Sequence, residues 1–361
     1  MAAISYKCPN CGGPLGFDPE SQHYRCPYCQ SVFTEKELEA LSPSSASEEQ
    51  APDLNPEGMP GSTEESRASG EQAVIYRCPS CGAEVVTSET TAATFCYYCH
   101  SPVVLEGRVS GDYLPDSIIP FQIDRKKAVE QFLSYVRHKK FVPHAFFNRD
   151  QIEKLSGIYY PFWTVDYEIQ GEMEGTGNKV RVWMSGDIEF TETSIFHFER
   201  GGSVKVKKLM RNALKESQRE LIDSVMPYRL ENLEPFHMGN LMGFAAERRS
   251  LESREISPEM EEKARSLASA AFRKTVSRYS SVQVRHGDFQ PISEHWSYLL
   301  LPVWVLTYGA LSGKKYYFAM NGQTGETHGV LPVSFGKLLG ASALLGSVVF
   351  ALVLGILYMF F

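Results

Sequence analysis

Tyr6-Lys7-Cys8-Pro9-Asn10-Cys11-Gly12 and Tyr76-Arg77-Cys78-Pro79-Ser80-Cys81-Gly82 are one device written twice. Fourteen residues separate Cys11 from Cys26, which opens Cys26-Pro27-Tyr28-Cys29, and fourteen separate Cys81 from Cys96, which opens Cys96-Tyr97-Tyr98-Cys99. Each cysteine of the second set falls 70 positions after its counterpart, and the eight are all the cysteines in the chain. Two cysteines with two residues between them fold into a knuckle whose thiolates converge, and two knuckles supply the four soft ligands of a closed tetrahedral zinc site. Gly12 and Gly82 follow the first knuckles, where glycine tolerates the positive φ of the turn. The expectation is two structural zinc ions, one on Cys8, Cys11, Cys26 and Cys29, the other on Cys78, Cys81, Cys96 and Cys99.

Disulfides and a redox pair are the competing readings. The opening Met1-Ala2-Ala3-Ile4-Ser5-Tyr6-Lys7 has no apolar run that would direct secretion into an oxidising compartment, and a thioredoxin-like site uses one cysteine pair, not four. A site filled by four thiolates has no open position for catalysis. His23 and His100 lie beside complete ligand sets and read as surface residues. Both cassettes resemble zinc ribbons of the transcription-factor-IIB type over residues 6–33 and 76–103. That likeness implies a metal and leaves two partner classes open, nucleic acid and protein.

Charge discriminates between them. The chain has 361 residues and a net charge of −7, but the excess is concentrated: segments 1–40, 41–72, 73–112 and 113–361 carry −2, −6, −2 and +3. Zinc with four thiolates adds two negative charges to each ribbon, and nucleic-acid affinity is dominated by Lys and Arg contacts to phosphate, so nucleic acid is disfavoured. Residues 41–72, rich in Ser, Pro, Gly and Glu, read as a disordered acidic linker that lets the first ribbon move.

Beyond the second ribbon, Pro115 and Pro120 predict extended chain. Asp124 is placed to cap a helix reaching about Lys139, with Ala128, Val129, Phe132, Leu133 and Val136 on one face. Alternation over residues 158–199 predicts several antiparallel strands. A helix is expected from about Val206 to Val225, and another from Ser257-Pro258-Glu259 to about Tyr279 with Ala264, Leu267, Ala268, Ala271 and Phe272 inward. Tyr159-Tyr-Pro-Phe-Trp163 and Leu300-Leu-Pro-Val-Trp304 share Pro and Trp at an offset of 141, through either duplication or chance among aromatic strands. Residues 315–329 read as two strands, with Asn321–Gly325 as their turn.

From Leu338 to Phe361 the chain carries no charge, and as a helix this segment would reach roughly 36 Å, enough to cross a bilayer. Lys314, Lys315 and Lys337 precede it, which places the N-terminal domains in the cytoplasm of a single-pass membrane protein. Ala343, Ser347, Ala351 and Gly355 recur every four residues, an arrangement that favours self-association in membranes.

The expected fold is multidomain: zinc ribbon 1 (1–40), a linker (41–72), zinc ribbon 2 (73–110), an α+β middle domain with an antiparallel sheet (111–335), and a transmembrane helix (336–361). Gly309-Ala-Leu-Ser-Gly313-Lys-Lys fails the phosphate-loop spacing, and neither Gly-x-Ser-x-Gly nor His-Glu-x-x-His occurs, so no enzyme is expected.

Ribbons first, Pro-x-Trp and Asn321-Gly-Gln-Thr-Gly325 segments next and an apolar end: this order resembles a bacterial family of zinc-ribbon membrane proteins. The resemblance implies an adaptor that holds cytosolic and membrane proteins, of phage-shock or flotillin-like type, at the lipid bilayer in envelope stress. The alternative is a membrane-tethered nucleic-acid-binding protein of replication or transcription.

Overall fold

The computed structural model describes residues 3–4, 7–34, 36–38, 73–78, 84–88, 91–96, 102–105, 113–139, 141–142, 155–215, 222–309, 315–331 and 333–360. The expected linker lies outside the described residues. The first ribbon contributes β1 (Ala3–Ile4), β2 (Gly16–Asp18), β3 (His23–Arg25) and β4 (Val32–Phe33), and the second β5 (Ala73–Arg77), β6 (Glu84–Ser88), β7 (Thr91–Phe95) and β8 (Pro102–Leu105). There follow β9 (Ser117–Ile118), α1 (Arg125–Arg137), β10 (Ser156–Ser185), β11 (Ile188–Asn212), β12 (Glu234–Pro235), β13 (Ala245–Glu247), α2 (Ser253–Thr275), β14 (Ser281–Gly309), β15 (Lys315–Asn321), β16 (Thr327–Val330) and α3 (Phe335–Phe360).

One sheet of 11 strands dominates, in the order β1-β8-β7-β13-β10-β14-β15-β16, with β11 on β10, β9 on β14 and β12 on β9. Instead of several strands over 158–199 there are two very long ones: β10 has 30 residues and β11 has 25, joined by a turn at Gly186. Along β10 the alternation sorts Val165, Tyr167, Ile169 and Met173 under α2, while Glu168, Gln170, Glu172 and Glu174 face away from it. Close packing needs glycine here: a Cβ on Gly171 would sit 2.7 Å from Phe289 and 2.9 Å from Phe272. Nearer its start the strand is buried on both faces, with Tyr159 and Trp163 in one core and Tyr160 and Phe162 in another. That accounts for the continuous apolar run in the sequence.

The two Pro-x-Trp segments are antiparallel neighbours, Tyr159 opposite Pro302 and Pro161 opposite Leu300. Their surroundings correspond position by position. Phe162 pairs with the buried Asn212, and Val303, 141 residues later, pairs with the buried Asn321. The Pro161 carbonyl accepts from the Ala213 N–H at 3.0 Å, and the Pro302 carbonyl from the Gly322 N–H at 2.8 Å. Trp163 Nε1 donates to the Leu251 carbonyl (2.9 Å) just before α2, and Trp304 Nε1 to the Ile123 carbonyl (3.0 Å) just before α1. Each indole thus fixes the entry of one helix.

Asp124 caps α1 as expected, accepting from the Lys127 N–H at 2.7 Å, and Ala128, Phe132 and Val136 are buried. Two helix expectations are corrected. Residues 206–212 continue β11, because a bulge at Val165/Tyr167 with Lys208 at φ 55° shifts the phase of the alternation. Val204 and Val206 keep the strand's step of two, but across the bulge Val206 and Leu209 both face the core three positions apart, a step that a helix also gives. The later helix begins at Ser253, since Glu252 and Glu255 form a reciprocal capping box that leaves Pro258 inside it. On that helix Ala264, Ala268 and Phe272 are buried, whereas Leu267 is 50% exposed.

Asn321–Gly325 is a structural turn. Asn321 Nδ2 donates to the Val225 carbonyl (2.9 Å) and the Pro227 carbonyl (3.2 Å), while its Oδ1 accepts from the N–H groups of Gln323 and Thr324.

Candidate metal centre

The first ribbon is built from two knuckles with the same backbone geometry. The Gly12 N–H donates to the Cys8 carbonyl (2.8 Å) and the Cys8 N–H to the Gly13 carbonyl (2.6 Å). Eighteen positions later the Gln30 N–H donates to the Cys26 carbonyl (3.0 Å) and the Cys26 N–H to the Ser31 carbonyl (2.9 Å). Both turns need a left-handed residue, Gly12 at φ 73° and Gln30 at φ 60°. In the second knuckle Gln30 takes up that conformation, and its Nε2 donates to the Pro27 carbonyl at 3.0 Å.

The knuckles bring Cys8, Cys11, Cys26 and Cys29 together, with all four Sγ atoms within 4.8 Å of one another. Cys8 and Cys29 are 3.5 Å apart and Cys11 and Cys26 are 3.4 Å apart. A disulfide would hold its sulfurs at about 2.05 Å. Four thiolates around one zinc-sized ion with bonds of about 2.3 Å would lie roughly 3.8 Å apart, so the set fits a tetrahedral metal ion. Cys8 and Cys26 are buried and Cys11 and Cys29 exposed, which closes the inner side of the site and leaves its rim in solvent.

The thiols are electrostatically unlike. At Cys29 the Ser31 hydroxyl, 3.2 Å from Sγ, and the Ser31 N–H stabilise the thiolate and bring its pKa down to about 6. At Cys11 the Gly13 N–H acts in the same direction, but bonds with the Cys26 and Cys29 thiols outweigh it and push the value up to about 12. One thiol of the metal-free set therefore ionises readily and another resists, and an incoming cation must displace protons.

Ser31 is a site residue that sequence reasoning did not single out, although its position repeats that of Gly13. Of the second set, Cys78 and Cys96 are buried in a small core with Tyr76, Val103 and Leu105. Cys81 and Cys99 lie outside the described residues. His23 is exposed, as expected; His100 is outside the described residues.

Both ribbons are fastened to the large sheet. The Phe17 N–H donates to the Met242 carbonyl (2.9 Å), Gln22 Nε2 donates to the Phe121 carbonyl (2.8 Å), and Phe17 and Tyr24 join the main core. The freely moving first module expected from the linker is thus a docked one. At the other end of the chain, α3 is long and apolar enough over Phe335–Ile356 to cross a membrane, and its most apolar stretch is not buried by any of the described residues.

A small three-stranded sheet bearing a thiol cluster that can hold a metal ion, a long antiparallel sheet and an apolar helix that is a candidate membrane span define the class. The particular family follows from the sequence, which is 32% identical over 335 residues to the uncharacterized protein YdjG of Bacillus subtilis (strain 168), covering 93% of this chain and 92% of YdjG. The chain belongs to the YdjG family. No family model matches it, and no solved structure matches it.

Proposed function

We propose that this protein is a membrane-anchored adaptor whose zinc ribbons dock cytosolic proteins at the bilayer, in the manner of an envelope-stress scaffold. The observation that carries this reading is the pairing of a thiol cluster whose four sulfurs can fill a metal's coordination shell with an apolar helix that, among the described residues, is left unburied. Zinc is the metal that four thiolates in tetrahedral array favour, and reduced thiolates belong in the cytoplasm. Lys337 on the N-terminal side of the helix agrees with that orientation.

The docking surface is the tip of the second knuckle. Tyr28 is 72% exposed there beside the exposed Pro27, and Val32 is 42% exposed. A tyrosine held rigidly on a metal knuckle offers apolar area at little entropic cost, as in interface anchors.

Metal analysis of the purified full chain is expected to give two zinc ions per molecule. Affinity capture from membranes is expected to lose its partners in Tyr28→Ala while the zinc content stays unchanged. Partners retained in that variant would sink the docking surface. A ribbon fragment that binds nucleic acid tightly, with a steep dependence on salt, would replace this function by the nucleic-acid one.

A further inference from the structure

Where the sheet gives way to α3, an open cleft of about 480 Å³ is lined by the last turn of α1, residues 141–142 and the segment after β16. Its volume falls within the range of small-molecule sites. Phe141, Val142, Leu331 and Val333 make an apolar wall, and His138 and Lys139 stand at its edge. Lys139 Nζ lies over the Tyr135 ring at 5.1 Å, and Tyr135 Oη donates to the Gly329 carbonyl at 3.1 Å, which braces one side against the other.

The cleft is tied to the apolar helix. The Ser334 N–H donates to the Phe141 carbonyl at 2.7 Å, and Lys337 Nζ to the Val142 carbonyl at 2.9 Å. The first turn of α3 is thereby pinned to the cleft wall, and a second ammonium is brought to it. Apolar side chains at the same corner point into solvent: Phe141 is 36% exposed, Val333 52% and Phe335 83%. Aromatic and aliphatic groups beside lysines, at the point where an apolar helix leaves its domain, match the composition of a bilayer interface.

The geometry points to a binding site for one anionic phospholipid, with its glycerol and upper acyl carbons on Phe141, Leu331 and Val333 and its phosphate at Lys139 and Lys337. This assignment rests on α3 being the membrane anchor, and it adds a lipid preference that anchoring alone does not require. Complementary charge selects the occupant, since a zwitterionic lipid would gain less from two ammonium groups.

The test is native mass spectrometry of the full chain in detergent, titrated with phosphatidylglycerol or phosphatidylcholine. One phosphatidylglycerol is expected to be retained in preference to phosphatidylcholine. Lys139→Gln and Lys337→Gln should each lower that preference roughly fivefold, the effect of about one cation near a lipid surface. Lys179→Gln, on the exposed strand β10, should leave it unchanged. Equal retention of the two lipids by the unmodified chain overturns the proposal, and so does an undiminished preference in both cleft variants. Competition by inorganic phosphate at concentrations comparable to the lipid would reassign the cleft to a free anion. Carbonate extraction separates the two failures: release from membranes sinks the anchor, whereas firm retention without lipid preference sinks the cleft alone.

Discussion

The two cysteine ribbons share a spacing and differ in how they join the rest of the molecule. The first keeps its own three-stranded sheet, β2-β3-β4, and meets the core from the side. It does so through the Phe17 and Gln22 hydrogen bonds and the packing of Tyr24 against Gly239. The second is divided: β5 and β6 form a separate two-stranded sheet, whereas β7 and β8 belong to the large one, where β7 pairs with β13, Ala93 opposite Ala246 and Thr91 opposite Glu247, and β8 pairs with β7 and β1. Backbone ladders transmit unfolding from strand to strand, whereas a side-on contact opens locally. The thiol-bearing sheet β2-β3-β4 of the first motif therefore docks from the side, with only β1 reaching the large sheet, whereas the second motif enters that sheet with its hairpin β7-β8.

Breaking the second ribbon should have the larger effect. Cys96→Ser removes a fully buried thiol beneath β7. If the second set holds zinc as proposed, structural zinc contributes about 10–16 kcal/mol of apparent binding energy that is realised as folding, so loss of a ligand there should lower global stability by several kcal/mol. The urea midpoint read from the fluorescence of the four tryptophans Trp163, Trp183, Trp296 and Trp304, all in the large sheet, should fall sharply. An unchanged midpoint would mean that the second ribbon is as separable as the first.

Cys8→Ser should act more locally. Hydrogen exchange is expected to lose protection at Phe17 and Tyr24, while the unfolding free energy read from the tryptophans falls by about 2–3 kcal/mol, the value of one large apolar side chain leaving a core. The stitch between the ribbons, Ala3 opposite Leu105 and Ile4 opposite Val104, should persist, because it belongs to the large sheet. Loss of protection across β7 and β8 in this variant would erase the distinction between the two ribbons.

Much of the metal centre was legible because its chemistry is local: cysteine spacing alone brings Cys8, Cys11, Cys26 and Cys29 within reach of one ion. The Asp124 cap and the apolar end of the chain were legible for the same reason. What failed was long-range or out of phase. The bulge beside Lys208 gave strand residues a helical spacing, and the capping box at Glu252 overrode the stronger-looking start at Ser257-Pro258. The three residues of β13 carry no signal that they would receive a hairpin from the second ribbon, since that pairing is decided by its partner some 150 positions away. The offset of 141 between the Pro-x-Trp segments marked matching positions, yet only the registers show that Asn212 and Asn321, or Leu251 and Ile123, correspond.

The smallest effect isolates the contact by which the first ribbon docks. Gly239 lies in the 3-10 turn Met238–Leu241, and an added Cβ would press on Tyr24 Oη and Cζ and reach its Cε1 at 3.0 Å. Tyr24 is only 3% exposed and packs edge-on against Phe17 at 5.6 Å, so its ring has little room to retreat. Gly239→Ala should therefore cost about 1–3 kcal/mol of docking, the usual price of overpacking. Gly16 offers the control within the ribbon itself, because a Cβ there meets nothing within 4 Å and Gly16→Ala should be close to neutral. If Gly239→Ala raised exchange at Phe17 and Tyr24 without changing zinc content, the metal would hold the ribbon's fold and the sheet only its position. Equal effects from the two alanines would show that Tyr24 does not seat the ribbon.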